Sequence, residues 1–309
     1  MDVASALRLV LLAAIWGGSF LCMRIAVPAF GPGMLIGLRV AIAAVFLWGV
    51  CRLMHKGAPL LPHWKHYLIL GLFNSALPFL CFAYAAQTLG ASLLSILNAT
   101  APIFGAIIGM LWLRTPVTRT TALGLALGIA GVATLVGGSI TVKDGNWWLA
   151  IGAGLLAPVC YGIAGTYTKK AQSGLSPLNS RSGPSPLKAQ SGPSPLDNAH
   201  GSMWAATLLA LPGALFIPGG GVPSSLAWVS VVALGVLCTG AAYLLYFRLI
   251  RDIGATRALS VTFLIPVFGV LWGVLLLGEH VGLNALAGGA LVLLGVALAN
   301  GVLPLGRKA

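Results

Sequence analysis

The fold is decided by residues 84–137, YAAQTLGASLLSILNATAPIFGAIIGMLWLRTPVTRTTALGLALGIAGVATLVG, which recur at 248–301 as RLIRDIGATRALSVTFLIPVFGVLWGVLLLGEHVGLNALAGGALVLLGVALANG. The two stretches align without a gap at an offset of 164 residues, since 254 − 90 = 164 for the matching glycines Gly90 and Gly254. At the same offset, Pro102 matches Pro266. The chain is therefore predicted to contain two copies of one unit.

The charges of the two copies do not repeat. Arg114 and Arg119 of the first copy become Gly278 and Leu283 in the second. At the other end, Tyr84, Gln87 and Leu93 become Arg248, Arg251 and Arg257. Basic residues collect on the cytoplasmic side of a membrane, so exchanged basic ends predict that the copies lie in opposite orientations. Inverted repeats of this kind are typical of secondary transporters, whose substrate site lies between the halves.

Composition predicts an all-α integral membrane protein. Hydrophobic residues make up 58% of the chain and charged residues 7%, with a mean hydropathy of +0.97; a soluble domain carries about 25% charged residues. A membrane helix needs about 20 apolar residues. We predict ten transmembrane helices as two inverted five-helix repeats, at roughly 7–27, 33–53, 67–87, 91–113, 119–138, 147–168, 203–218, 226–247, 255–277 and 283–303.

The formal charge of +13 follows the loops of this topology. With both termini cytoplasmic, 15 of the 18 Lys and Arg residues fall on the cytoplasmic side. This distribution predicts a multi-pass protein of the cell inner (cytoplasmic) membrane. The expected partners are the lipid bilayer and a small-molecule substrate, with no nucleic acid.

The predicted domains are residues 1–145 and 146–309, one five-helix repeat each. The second contains a low-complexity stretch at 171–202, with the nine-residue repeats SGLSPLNSR, SGPSPLKAQ and SGPSPLDNA. Proline and serine every few residues disfavour a helix, so a cytoplasmic loop is expected over 171–202. Close helix packing is predicted at glycines within the spans. These glycines are Gly105, Gly109, Gly124, Gly128, Gly131, Gly269, Gly273, Gly288 and Gly295.

Polar residues beside prolines mark the expected substrate site. Pro102 and Pro266 are hinge candidates, because interrupted helices at corresponding places in two halves point to a transport site. Asn98 and Thr262 lie one helical turn before these prolines and also correspond. Each of the two either contacts the substrate or makes an interhelical hydrogen bond that holds the bundle together. The further mid-span candidates are Trp16, Ser19, Asn74, Phe79, Tyr161, Tyr243 and Tyr246.

Acidic residues are missing from the middle of every predicted span, which argues against a proton carrier and favours facilitated export. Arg24 and Arg39 are the intramembrane charges of the sequence, and each either snorkels to the outer face or guides a carboxylate. The histidines lie in loops and the five cysteines lie singly within spans. No metal site, cofactor or catalytic group is therefore expected.

The strongest sequence motifs are AAIWGGSF with the following Arg24, LRVAIAAV around Arg39, and AYLLYFRLIRDIGATRALSVTFLIPVFGVLWGVLLLGE from Ala242 to Glu279. On these motifs the chain resembles the EamA-type branch of the drug/metabolite transporter superfamily, and within it the amino-acid exporters of the YddG type. Arg114-Thr115-Pro116 departs from that pattern, where the family usually shows a Gly-Glu pair. The resemblance implies ten helices in two inverted repeats, a central cavity and inner-membrane export of amino acids or other small metabolites.

The leading hypothesis is a non-enzymatic exporter of neutral or aromatic amino acids that works by alternating access. A broad drug or cation exporter is an alternative, disfavoured because lipophilic cations generally call for a membrane-embedded carboxylate. A membrane enzyme or lipid-handling scaffold is the alternative from another class. It would need a polar catalytic cluster.

The topology is testable with single cysteines in a cysteine-free background. Because basic loops stay cytoplasmic, cysteines at either terminus or in the 171–202 loop should resist an impermeant thiol reagent in intact cells. Cysteines at Lys143 or Glu279 should react with it. Labelling of the 171–202 loop from outside would contradict the predicted orientation.

Overall fold

The computed structural model describes residues 2–55, 60–116, 118–137, 145–174, 193–216 and 220–300. Regular structure in these ranges is helical, and no strand occurs in them. Most of the 171–202 loop, the loop at Lys143 and the C-terminus lie outside the described residues.

The helices follow one another as α1 (Val3–Leu53), α2 (Trp64–Gly71), α3 (Leu77–Ala85), α4 (Ala91–Asn98), α5 (Ala101–Leu113), α6 (Arg119–Gly137), α7 (Gly145–Gly174), α8 (Pro195–Phe216), α9 (Ser225–Gly235), α10 (Ala242–Ile253), α11 (Ala255–Ala258), α12 (Val261–Leu277) and α13 (Leu283–Ala299). A short 3-10 turn, Leu61–His63, precedes α2. Two π-helical segments, Leu72–Ala76 and Val236–Ala241, join α2 to α3 and α9 to α10.

Helix α1 is broken in the middle. Its 51 residues would reach about 77 Å if straight, more than twice the hydrocarbon thickness of about 30 Å. Gly31 has φ 68° between Pro28 and Pro32, a left-handed conformation that glycine adopts without strain. The two arms come together again at Arg39, whose Nη1 lies 3.9 Å from Sδ of Met23. The element therefore consists of two apolar arms.

Among the described residues, six helical stretches are long and apolar enough to cross a membrane: Val3–Leu53, Leu61–Ala85, Ala91–Leu113, Arg119–Gly137, Asn146–Ala171 and Ser225–Ile253. The helices Val261–Leu277 and Leu283–Ala299 are apolar but shorter. Apolar helices of this length in an all-helical chain define a multi-pass membrane protein.

The prediction of a loop over 171–202 is wrong at both ends. Helix α7 continues to Gly174, and α8 begins at Pro195, earlier than the predicted span 203–218. A capping box starts α8: the Asp197 N–H donates to Oγ of Ser194 at 3.2 Å, and the Ser194 N–H donates to Oδ2 of Asp197 at 2.9 Å. Proline at the first helical position suits this arrangement. The other SPL copies are followed by Asn179 and Lys188, so only the last copy carries the acid.

Helices α6 and α13 pack through glycines. A Cβ on Gly131 would lie 2.7 Å from the carbonyl oxygen of Gly288, and a Cβ on Gly124 would lie 2.5 Å from that of Gly295. Position 124 pairs with 295 and position 131 with 288, so the two helices cross antiparallel. Because 124 + 164 = 288 and 131 + 164 = 295, the two contacts are equivalent under the sequence repeat.

The glycines of α5 and α12 differ in how closely other residues approach them. In the second copy, a Cβ on Gly269 would collide with Ser95, and one on Gly273 with Ser92. In the first copy, Gly105 approaches α7 through its backbone: a Cβ on Gly162 would lie 3.0 Å from the Gly105 nitrogen. A Cβ on Gly105 would meet nothing within 4 Å, and one on Gly109 would make ordinary contact with Thr115 at 3.7 Å.

The glycine contact yields a stability prediction. Gly131→Ala should destabilise the protein by about 1 to 3 kcal/mol, because the carbonyl of Gly288 is backbone and cannot move away. Gly152→Ala is the matched control, since a Cβ there meets nothing within 4 Å. Alanine favours a helix by about 1 kcal/mol over glycine, so the control should be neutral or stabilising. The measurement is the melting temperature of both detergent-purified variants, and equal shifts would contradict the packing argument.

Candidate functional site

One cavity of about 290 Å³ lies between the helices of both halves. Its wall is largely aromatic, with polar groups at separated points. It is lined by Trp16, Ser19, Phe20, Met23, Arg39, Asn74, Phe79, Phe82, Asn98, Ala101, Tyr161, Cys238, Thr239, Tyr243, Tyr246, Leu259, Val261, Thr262 and Ile265. A volume near 300 Å³ is at the lower end for small-molecule sites, so the cavity suits a small metabolite.

All seven predicted substrate-binding residues line this cavity. They come from α1, the first π-helical segment, α3, α4, α7, α10 and α12, and they are Trp16, Asn74, Phe79, Asn98, Tyr161, Tyr243 and Thr262. Ser19 and Tyr246, the remaining mid-span candidates, line it too. The residues are thus brought together, although their roles stay predictions.

Asn98 and Thr262 lie at interruptions of the helical backbone. Asn98 ends α4, and two non-helical residues separate it from α5. Thr262 is the second residue of α12, directly after a break at residues 259–260. The Thr262 hydroxyl donates to the carbonyl of Leu259 at 2.8 Å, while the Asn98 carboxamide makes no hydrogen bond with the described residues. Neither side chain bonds to another helix in the described structure.

The two hinge candidates differ in their surroundings. Pro102 follows a break at once, within the first two positions of α5. Pro266 lies inside α12, six residues after the break ends at Ser260. The interruption in the second copy therefore falls one turn earlier than the repeat predicts. The role of both prolines as hinges stays a prediction.

The two π-helical segments begin at corresponding positions, since 236 − 72 = 164, and each brings a polar side chain to the cavity. From the first, Asn74 donates Nδ2–H to the hydroxyl oxygen of Tyr243 at 2.9 Å. From the second, Thr239 donates its hydroxyl to the carbonyl of Leu234 at 2.8 Å, a bond across five residues. Single π-helical turns inside α-helices are frequent at functional sites.

Arg39 is the charged residue of the cavity wall. It is 3% exposed, its Nε–H donates to Oγ1 of Thr239 at 3.0 Å, and its guanidinium carbon lies 3.7 Å from the ring centroid of Phe79. The interpretation as a snorkelling side chain is therefore wrong. Apolar neighbours such as Leu38 and Val40 give no local sign that this arginine turns toward a cavity.

The aromatic wall is built from rings in contact. Trp16 and Tyr246 lie 5.4 Å apart between ring centroids, and Phe82 lies 5.3 Å from Phe20 and 6.4 Å from Tyr161. Phe82 was missed by the sequence analysis, as were Cys238 and Thr239. An apolar or small residue in an apolar helix does not by itself indicate a binding site. For Thr239 the repeat gives one sign, because Thr239 corresponds to Ser75, a second hydroxyl residue.

Polar contacts join Glu279 to the start of α4. The Glu279 carboxylate accepts the N–H of Ala91 at 2.6 Å, and the N–H and hydroxyl of Ser92 at 2.9 and 2.6 Å. These N–H groups begin α4, and a carboxylate at a helix N-terminus is favoured by the helix dipole. A Cβ on Gly90 would come within 2.7 Å of this carboxylate, so glycine makes room for it.

Arg24 makes a second contact on the same side. Its Nη1 donates to the carbonyls of Ala86 and Gln87 at 2.6 and 2.9 Å, just beyond the C-terminus of α3. A cation there is favoured by the helix dipole. Arg24 thus ties α1 to the end of α3.

The other copy of the repeat shows no contact equivalent to that of Glu279 among its described residues. Under the repeat, Gly254 corresponds to Gly90 and Thr115 to Glu279. A Cβ on Gly254 would meet nothing within 4 Å, and Leu259, which lines the cavity, is 51% exposed. The two ends of the repeat therefore differ: the Glu279 carboxylate holds the start of α4, and the described residues show no such contact at Gly254.

The arrangement is suited to reversible binding. No group of three or more His, Cys, Asp and Glu side chains that could hold a metal occurs among the described residues. The cavity presents aromatic faces, one guanidinium, and amide and hydroxyl groups. Such a wall binds a small amphipathic molecule through apolar contact and a few directed hydrogen bonds.

Comparison with known proteins defines the class. Residues 4–137 and 188–301 match the EamA-like transporter family, a match that covers most of the chain. The protein belongs to the EamA-like transporter family and is a multi-pass membrane transporter. The segment between the two matched ranges contains the first nine-residue repeat and the first six residues of the second.

Similar proteins include the uncharacterized transporter YoaV of Bacillus subtilis (strain 168), 24% identical over 91% of each chain. The S-adenosylmethionine/S-adenosylhomocysteine transporter of Chlamydia trachomatis serovar L2 is 26% identical over 86% of this chain and 80% of its own. A solved crystal structure shares the fold, with a TM-score of 0.62 at 16% identity over 97% of both chains.

The Glu279 contact is testable by amide hydrogen exchange. Glu279→Gln removes the charge and one acceptor from the α4 N-terminus, which should cost about 1 to 2 kcal/mol. Amides at the start of α4 should then exchange about 5- to 30-fold faster. His280→Gln, at an exposed neighbour, should leave them unchanged. Unchanged exchange in the Glu279 variant would show that the carboxylate does not stabilise the start of α4.

Proposed function

We propose that this protein is an inner-membrane carrier that exports small amphipathic solutes, specifically neutral or aromatic amino acids, as YddG-type exporters do. The observation that carries the proposal is the cavity, where side chains from both halves meet around about 290 Å³. Its aromatic wall provides apolar contact for a side chain, and its few polar groups suit an amino acid's charged end.

The unpaired carboxamide of Asn98 supports substrate contact over a role in holding helices together. The Asn98 side chain lines the cavity, so its amide donors and carbonyl acceptor are available to a ligand there. Thr262 donates its proton to Leu259 and keeps acceptor capacity toward the cavity. An ammonium group needs acceptors of this kind.

Alternating access of two inverted five-helix repeats is the proposed mechanism. It is supported by the antiparallel crossing of α6 and α13, in which the Gly124–Gly295 and Gly131–Gly288 contacts are equivalent under the repeat. The contact of Glu279 with α4, without a counterpart at Gly254 among the described residues, would fit a carrier whose outer side is shut. Both termini are then cytoplasmic.

Facilitated export follows from the composition of the wall. The cavity is lined by no Asp or Glu among the described residues, so no side-chain carboxylate is at hand there to carry a proton. A broad cation exporter is disfavoured by the same lining, because the charge it does contain, Arg39, repels cations.

The direct experiment is transport in sealed proteoliposomes with labelled solutes. The panel contains aromatic and small neutral amino acids, a lipophilic cation and S-adenosylmethionine, the last because the chlamydial relative is named for it. We expect saturable flux of aromatic amino acids without an imposed proton gradient. Flux of the cation alone would contradict the proposal, and flux of S-adenosylmethionine alone would change its substrate.

The site residues are tested by three substitutions. Asn98→Ala should weaken substrate binding by about 1 to 3 kcal/mol, or about 5- to 150-fold, with the melting temperature nearly unchanged. Trp16→Ala should also reduce flux strongly, and Thr262→Phe should block it by filling the cavity. Flux and melting temperature are measured on the same preparations.

Matched controls use the same residue types outside the cavity. Asn146→Ala and Trp148→Ala change exposed side chains of α7 and should keep normal flux. Normal flux in all three site variants would place the pathway elsewhere. Parallel loss of flux and stability would favour a packing role for these residues.

A further inference from the structure

We propose that Arg39 binds the carboxylate of the transported solute, so that the carrier selects molecules with an apolar or aromatic body and one free carboxylate. This inference rests on the proposed transport function, because it concerns the same cavity. It assigns the solute's charge to one side chain.

The guanidinium of Arg39 has unused hydrogen-bond donors. A guanidinium carries five N–H donors and no acceptor. In the described structure, Nε donates to Thr239 and Nη1 makes a long 3.9 Å contact with Sδ of Met23. Nη2 has no partner among the described residues. The donors left over belong to the terminal nitrogens, which suits a bidentate bond to a carboxylate.

The charge of Arg39 is also uncompensated. The ion pairs found among the described residues join Arg8, Arg248 and Arg251 to Asp252, and none of them involves Arg39. A buried charge without a partner is costly. The contact with Phe79 stabilises the guanidinium but supplies no opposite charge. An anionic ligand would supply the missing compensation.

The surroundings hold Arg39 in place for such a ligand. Thr239 fixes Nε, and the Phe79 ring covers one face of the guanidinium. Thr239 itself is oriented by its bond to the Leu234 carbonyl in the π-helical segment. A planar, pre-oriented guanidinium matches the geometry of a carboxylate better than a flexible ammonium does.

The size and charge of the site favour a carboxylate over a larger anion. Among the described lining residues, Arg39 supplies the single positive charge, which balances one negative charge. The rest of the wall is mainly apolar and aromatic, so a second negative charge would remain uncompensated in a poorly hydrated space.

The experiment compares two matched pairs of probes on the purified full-length protein. The first pair is L-phenylalanine and its amide; the second is 3-phenylpropanoate and 3-phenylpropanamide, which lack the amino group. Each pair differs only in the carboxylate. We expect the carboxylate of each pair to bind about 10- to 100-fold more tightly, as for a charge-assisted hydrogen bond.

Substitution of Arg39 should remove this preference selectively. Arg39→Gln should lower the affinity for both carboxylates to that for the amides and leave amide binding unchanged. Arg39→Lys keeps the charge but not the planar fork, so part of the preference should remain. Arg52→Gln removes an exposed arginine from the same helix and should keep the full preference.

The outcomes separate this inference from the proposed function. Equal binding of carboxylate and amide by the unmodified protein would overturn the Arg39 assignment, even if Arg39→Gln did not fold. An equal loss of both by Arg39→Gln would also overturn it and indicate a structural role. A carboxylate preference that depends on Arg39, without flux of any amino acid in proteoliposomes, would support the inference and contradict the proposed amino-acid transport.

Discussion

Hydrocarbon offers no hydrogen-bond partner, so each interruption of a membrane helix has to be satisfied by groups of the protein itself. This constraint governs the described breaks. Between α4 and α5, the Thr100 hydroxyl donates to the carbonyl of Leu97. Before α12, the Thr262 hydroxyl donates to the carbonyl of Leu259. Irregular backbone at membrane depth is tolerated where it lines a cavity, and Leu259 and Thr262 line this one.

The same constraint connects the backbone to the site. In the second π-helical segment, Thr239 donates to the Leu234 carbonyl and accepts from Nε of Arg39. One hydroxyl therefore satisfies a freed backbone group and orients a charge. The bond from Asn74 to Tyr243 joins the first π-helical segment to α10. Local helix irregularity and the polarity of the cavity thus have one physical origin.

Sequence reasoning pointed to cavity-lining residues where a side chain stands out from its surroundings. Polar and aromatic side chains in the middle of apolar spans are costly or conspicuous, and all seven candidates line one cavity. Glycines at the repeat offset predicted close helix packing, and α6 and α13 pack through them. Sequence reasoning failed where the neighbouring residues carry no information. Phe82 lies in an apolar helix like any core residue. The short SPLD motif at Ser194, which begins α8, lies within a low-complexity stretch.

The amino-acid sequence by itself determined the class of protein, the duplicated unit and the residues able to form a polar site, because composition, periodicity and charge asymmetry are local properties. Only the tertiary structure decided that Arg39 faces the cavity with donors unused, that Glu279 caps α4, and that Pro266 lies within a continuous helix. These features depend on contacts between segments up to 200 residues apart in the chain, as for Arg39 and Thr239. Which helices meet is set by packing over their whole length.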